Sequence, residues 1–227
     1  GIVQVLKTML DKIDNLPFVN QKNAFRLMMA MHIAGAIGLS IEATRELFQL
    51  LTPFNLLATA AIVLHFESNK GLKYGLFILI TFLTGFFVEV AGVQTGLIFG
   101  EYSYGQTLGY KVFDVPLAIG LNWVVLIYCT SQQAKRIFQS PMLRIVSAAL
   151  MMTLLDFLIE PVAIAYDFWS WEAVSIPIQN YGAWFLISAV LHFVFNKLMP
   201  ESNNPLAIKI LYIQAIFFLI LNFIPIG

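Results

Sequence analysis

Apolar runs of membrane-spanning length recur from residue 24 to the end of this chain, and they leave few folds open. About 20 apolar residues suffice to cross a bilayer core as a helix. A helix is one of two structures that satisfy every backbone polar group there. The runs are Ala24–Ile41, Leu47–Phe66, Leu72–Ile98, Val115–Thr130, Pro141–Ala165, Tyr181–Leu198 and Pro205–Ile224. The chain is 59% hydrophobic and 11% charged, where a soluble domain is about 25% charged. The expected fold class is all-α, a polytopic membrane helix bundle of about seven transmembrane helices. It forms a single integral membrane domain over residues 1–227. Residues 1–23, with Lys7, Asp11, Lys12, Asp14 and Pro17, read as a cytoplasmic amphipathic lead-in and not as a cleavable signal.

Basic residues orient the bundle. Lys7, Lys12, Lys22, Arg26, Lys70, Lys73, Lys135, Arg136, Arg144, Lys197 and Lys209 fall on one side, and only Arg45 and Lys111 on the other. Basic loops stay in the cytoplasm, so the N-terminus is expected there and the protein in a bacterial or archaeal cytoplasmic membrane. Six or eight spans would spoil the asymmetry. Net charge is zero, so there is no electrostatic case for nucleic acid. Cys129 sits in an apolar run as a packing residue. No internal repeat of the transporter kind is evident.

Against this background three carboxylates stand out: Glu89, Asp156 and Glu160. A charge at the centre of a membrane helix costs about 2.5–3.5 kcal/mol on insertion scales, so three suggest use. The topology puts all three in the non-cytoplasmic half. Tyr102, Tyr104, Asn122, Trp123, Trp171, Asn180, Tyr181 and Trp184 share that half. Asp156 and Glu160 are four residues apart and share a helix face. Two carboxylates in low dielectric do not both ionise easily, and a neutral acid beside an anion is the usual acid–base arrangement. The bland alternative is a packing pair hydrogen-bonded to Asn122 or a tyrosine. Gly85, Gly92, Gly96 and Gly100 form a small-residue stripe of the sort that lets helices approach. Trp169 and Trp171 also fit an interfacial aromatic belt. His32, His65 and His192 show no metal-ligand spacing, so neither a metal nor another cofactor is expected.

The segments TGLIFGEYSYGQTLGYKVFDVPLAIGLNW, DFLIEPVAIAYDFWSW and IPIQNYGAWF carry a joint pattern. It resembles the carotenoid biosynthesis membrane proteins that include the carotenoid 1′,2′-hydratases. The resemblance spans about Glu89 to Phe185. It implies addition of water to the terminal C1=C2 double bond of an acyclic end group, on a γ-carotene-like, lycopene-like or C50 polyene. The implied partners are a lipid-soluble carotenoid, water, membrane lipids and other enzymes of the carotenoid pathway. An unactivated alkene must be protonated before water attacks. Asp156 and Glu160 are the expected acid–base pair, with Glu89 as the third candidate. Asn122 and Asn180 would hold water. Tyr102, Tyr104, Trp123, Trp171, Tyr181 and Trp184 would line the site, where aromatic faces steady a cation.

Three other classes fit less well. A proton-coupled transporter needs polar residues through its whole thickness, and the cytoplasmic halves of spans three to six read as nearly all apolar. A retinal protein needs a lysine deep in its last span, where only Lys209 lies, near one end. A non-catalytic carotenoid-binding relative stays open.

Overall fold

The computed structural model describes residues 19–224, together with Gln4, Val5 and Thr8. Most of the expected lead-in lies outside the described residues. Within residues 19–224 seven α-helices follow one another: α1 (Gln21–Ser40), α2 (Glu42–His65), α3 (Leu72–Thr95), α4 (Leu117–Ile137), α5 (Pro141–Ala165), α6 (Ile178–Leu198) and α7 (Pro205–Asn222). The fold is an all-α membrane helix bundle. Five helices, α2, α3, α5, α6 and α7, are long and apolar enough to cross a membrane. The two that fall short do so for different reasons. The first turns of α1 carry Gln21, Lys22, Asn23 and Arg26. Helix α4 is the interior helix, buried from Trp123 to Ala134 without a break. It meets no lipid there and so tolerates Thr130, Ser131, Gln132 and Gln133.

Around α4 stand α2, α3, α5, α6 and α7, while α1 packs outside on α2 and α7. Local chemistry sets several helix ends. The Asn20 side chain accepts from the Asn23 amide at 2.9 Å and opens α1. Asn204 does the same for Leu206 and Ala207, and Pro205 begins α7. Helix α5 runs on through Pro161 to Ala165. The helices depart from the expected spans at their ends. Helix α4 continues seven residues beyond Thr130, to Ile137, and α2 starts at Glu42 rather than Leu47.

Two short antiparallel ribbons lie at one end of the bundle, where the sequence suggested loops. β1 (Tyr102–Tyr104) pairs with β4 (Trp169–Trp171), setting Tyr102 opposite Trp171 and Tyr104 opposite Trp169. β2 (Lys111–Val112) pairs with β3 (Val115–Pro116). The turn into β4 passes through Asp167 at φ 59°, a left-handed conformation that aspartate adopts more readily than most residues. The Asp167 carboxylate accepts from the Gln106 amide at 2.8 Å, tying the two loops together.

The opposite end is fastened by a carboxylate that the sequence did not single out. Glu67, buried after α2, accepts from the Tyr128 hydroxyl at 2.5 Å, the Asn69 amide at 2.8 Å, and the Ser202 hydroxyl. Gln132 donates to Ser202 at 2.5 Å, and Asn204 donates to the Val63 carbonyl at 2.7 Å. Deeper in, His192 bonds Thr130 at 2.8 Å. The cytoplasmic halves of spans three to six, expected to be nearly all apolar, hold Tyr128, Thr130 and His192 as polar exceptions, and the other side chains of the network come from the end of α4 and the loops. Glu67, Tyr128, Gln132, Ser202 and Asn204 pair across α4 and the loops, and Thr130 pairs with His192 on α6, while Ser131 Oγ and Gln133 Oε1 are buried without a partner among the described residues. Replacing Glu67 by alanine strands at least two buried hydroxyl donors. The variant is expected to lose about 2–3 kcal/mol of stability, read as a lower thermal unfolding midpoint in detergent.

Candidate active site

The three intramembrane carboxylates are all buried, Asp156 at 0%, Glu160 at 1% and Glu89 at 3% exposure. Each is positioned by residues that arrive from other elements. Glu89, on α3, accepts from the Tyr102 hydroxyl at 2.5 Å and the Tyr104 hydroxyl at 2.8 Å, both through Oε2. Its Oε1 accepts from Trp123 Nε1 on α4 at 3.0 Å. Glu160, on α5, accepts through Oε2 from the indoles of Trp169 and Trp171, each at 2.9 Å. Its Oε1 accepts from Asn180 Nδ2 at 3.2 Å. The same Asn180 nitrogen donates to Asp156 Oδ2 at 2.8 Å. Asp156 Oδ1 is buried and has no hydrogen-bond partner among the described residues.

The ribbon explains this arrangement. Side chains alternate between the two faces of a strand. Tyr102 and Tyr104 therefore point inward past exposed Ser103, and Trp169 and Trp171 inward past exposed Ser170. Strand β1 serves Glu89 and strand β4 serves Glu160. The paired rings pack across the ribbon, Tyr102 to Trp171 at 5.2 Å and Tyr104 to Trp169 at 6.1 Å between centroids. Burial first, and then the nearby Glu89 charge, push both phenols far above the usual tyrosine range. They remain protonated donors at any physiological pH.

Two glycines make room for the donors. A Cβ on Gly85 would lie 2.4 Å from Trp123 Cγ, so only glycine lets this indole settle against α3 one turn from Glu89. A Cβ on Gly92 would lie 2.6 Å from Phe99 and 3.0 Å from the Tyr102 hydroxyl. The glycine stripe, read above as helix-packing surface, here receives aromatic side chains.

The structure thus brings together Glu89, Asp156, Glu160, Tyr102, Tyr104, Trp123, Trp171 and Asn180. Trp184 stands one layer back, stacked on Trp123 at 4.7 Å. Tyr181 sits against lipid-exposed Phe157 at 5.7 Å rather than among the donors. Asn122 lines a cavity and is likewise not among them. Trp169 was missed as a site residue, because an interfacial role accounts equally well for a lone tryptophan. The W-S-W alternation matching Y-S-Y was the available signal.

Spaces flank the cluster on two sides. An apolar cavity of about 430 Å³ is bounded by Ile159, Trp169, Asn122 and residues of α1, α2 and α7. The carboxylates do not line it. Trp169 separates them, lining the cavity while its N–H holds Glu160. On the other side a polar cleft of about 400 Å³ is lined by Tyr102, Tyr104, Gln94, Lys111 and Asp114. Every donor named to the three carboxylates is neutral: two phenols, three indoles and one amide. Such a site can hold and move protons without a compensating cation, between an apolar space and a polar one.

Comparison with known proteins agrees with this setting. Over 137 residues the chain is 30% identical to the bisanhydrobacterioruberin hydratase of Haloarcula japonica. That match covers 55% of this chain and 45% of the relative, so the chain spans about half the length of the curated relative it matches. No solved structure matches. The sequence profile of carotenoid biosynthesis proteins matches residues 51–226, which takes in every carboxylate and donor described above, and the chain belongs to that family.

Proposed function

We propose that this protein is a carotenoid hydratase, adding water to the terminal C1=C2 double bond of an acyclic carotenoid end group. The observation that carries the reading is the unequal provision for the three carboxylates. Glu89 and Glu160 each receive three hydrogen bonds from neutral donors, which favours the anion. Among the described residues Asp156 receives one, and its Oδ1 receives none. A buried oxygen without a partner calls for an explanation. A proton on Asp156 Oδ1, for which the described residues offer no acceptor, supplies one.

The chemistry follows from these roles. With the end group past Trp169, Asp156 transfers its proton to C2 of the alkene, and the positive charge forms at C1, the tertiary carbon. Trp169 and Trp171 are held at Glu160 through their N–H edges, and a cation over a ring face gains from its electrons. Water adds to C1 and loses a proton to Glu160. Transfer back from Glu160 to Asp156, one helical turn away, restores the starting state with one water consumed. Glu89 fixes the ribbon through Tyr102 and Tyr104 and keeps negative charge near the developing cation. No redox step occurs and none is needed.

The lopsided distribution of basic residues supports an N-terminus in the cytoplasm and the carboxylate cluster in the outer half of a cytoplasmic membrane. The name of the Haloarcula relative supports a carotenoid as the substrate. Other enzymes of the same pathway are the natural neighbours for a product that stays in the lipid.

In cells that accumulate lycopene or γ-carotene, Asp156→Asn, Glu160→Gln and Glu89→Gln are each tested by mass analysis of pigments. Asp156→Asn is expected to lower the hydrated product by at least about 100-fold. If all three variants keep wild-type amounts, the mechanism is wrong. Reaction in deuterated water, followed by exchange of the hydroxyl proton, is expected to leave one deuterium at C2. Product without carbon-bound deuterium would exclude proton transfer from an exchangeable acid. Gly85→Ala displaces Trp123 from Glu89 and is expected to slow turnover by roughly 10- to 100-fold, the scale of an ångström-sized misplacement, with the protein still extracted as a folded species.

A further inference from the structure

Two apolar spaces meet at one pair of side chains. The inner space is the 430 Å³ cavity that ends on Trp169. The outer one is a groove of about 810 Å³ between α1 and α7. Its walls include Ile33, Ile37, Ile216 and Ile220, all exposed on the outside of the bundle. His32 and Phe217 line both spaces. Their rings meet edge to face, 5.4 Å apart at 88°. Gly35 borders the same point, where a Cβ would lie 3.4 Å from Phe217.

We infer that the α1–α7 groove holds the rod-shaped polyene of a linear carotenoid, and that its acyclic end group passes His32 and Phe217 into the inner cavity. This rests on the hydratase reading above. The groove follows α1 from Phe25 to Ile41. At 1.5 Å per residue that is about 24 Å, most of the roughly 30 Å hydrocarbon core, which suits a stiff chain lying along the bundle. In the acyclic end group two saturated carbons separate the terminal alkene from the polyene. The end can turn out of line there while the conjugated part stays in lipid. Once inside, it is one side chain, Trp169, from Glu160.

The inner cavity also differs from a slot for a lipid tail. Gln214 lines it, is 5% exposed, and leaves Oε1 without a partner among the described residues. An acyl chain offers that oxygen nothing. Water on its way in, or the tertiary hydroxyl of the product, offers a donor.

The test uses the whole protein in carotenoid-producing cells. In the Glu160→Gln background, a linear carotenoid is expected to purify with the protein, detected by absorbance and mass. Adding Gly35→Leu, which fills the passage, is expected to remove it by about tenfold, the scale of added bulk in an apolar pocket. In the otherwise wild-type protein, Gly35→Leu is expected to cut hydration to the same extent, and Phe217→Ala in addition to restore it. Gly35→Ala keeps ordinary contact with Phe217 and serves as the folded control. Ile33→Trp and Ile216→Trp, on the exposed groove walls, carry the same expectation without risk to the core. Unchanged pigment and unchanged hydration across this series overturn the portal while leaving the hydratase intact. Phospholipid alone in the groove overturns it too. A wild-type protein that makes no hydrated pigment sinks the hydratase reading instead, and pigment retention then still decides what the groove binds.

Discussion

A carboxylate in a bilayer must find hydrogen-bond donors or a proton, and most of the upper bundle is arranged around that need. Three carboxylates share one buried region, and the donors named to them carry no charge. A lysine or arginine would have neutralised them as a fixed ion pair, with a large desolvation cost. Phenols, indoles and an amide supply hydrogen bonds without fixing the protonation state. The interior can therefore gain or lose a proton without breaking a salt bridge.

That arrangement explains why a helical protein builds two strands. Helix side chains project about once every turn on a given face, whereas a strand presents a side chain to one face at every second residue. Tyr102 with Tyr104, and Trp169 with Trp171, put two donors on one carboxylate oxygen, which a short strand achieves easily. The opposite end needs no such density. There Glu67 is met by a tyrosine, a serine and backbone, and it joins the α2–α3 and α6–α7 loops to α4. The two ends thus use similar chemistry differently, one joining loops to α4 and one gathering three carboxylates under a ribbon.

Helix number and order were legible because each run of apolar residues has to cover a membrane thickness. Helix ends were less legible, above all the end of α4, whose Ser131–Gln132–Gln133 stretch looks like loop in a hydropathy profile. It is helix because the surrounding helices, not lipid, pack against it. The carboxylates were legible because their cost in an apolar run is large, and Asn180 because it opens the next helix beside tyrosine and tryptophan. Their partition was not. Whether Tyr102 serves Glu89 or Glu160 depends on the register of a ribbon between loops some 65 residues apart, and local sequence does not encode such pairings strongly. Asn122 and Tyr181 share the helix turns of true donors, yet their side chains leave on other faces. Glu67 escaped notice because it closes an apolar run at the point where charged residues are ordinary.

The split ribbon also bears on how the chain is made. Domains form as the chain emerges, N-terminal parts first. Glu89 enters with α3, and its donors Tyr102, Tyr104 and Trp123 follow within the next 34 residues. Glu160 waits only nine residues for Trp169 and eleven for Trp171, but twenty for Asn180. Strand β1 has no partner until β4 is synthesised, after both α4 and α5. This end of the bundle is thus completed by a late closure, in which one loop captures another. A translocation machinery releasing α5 before Asn180 is made would be handling a helix whose Asp156 still lacks its donor.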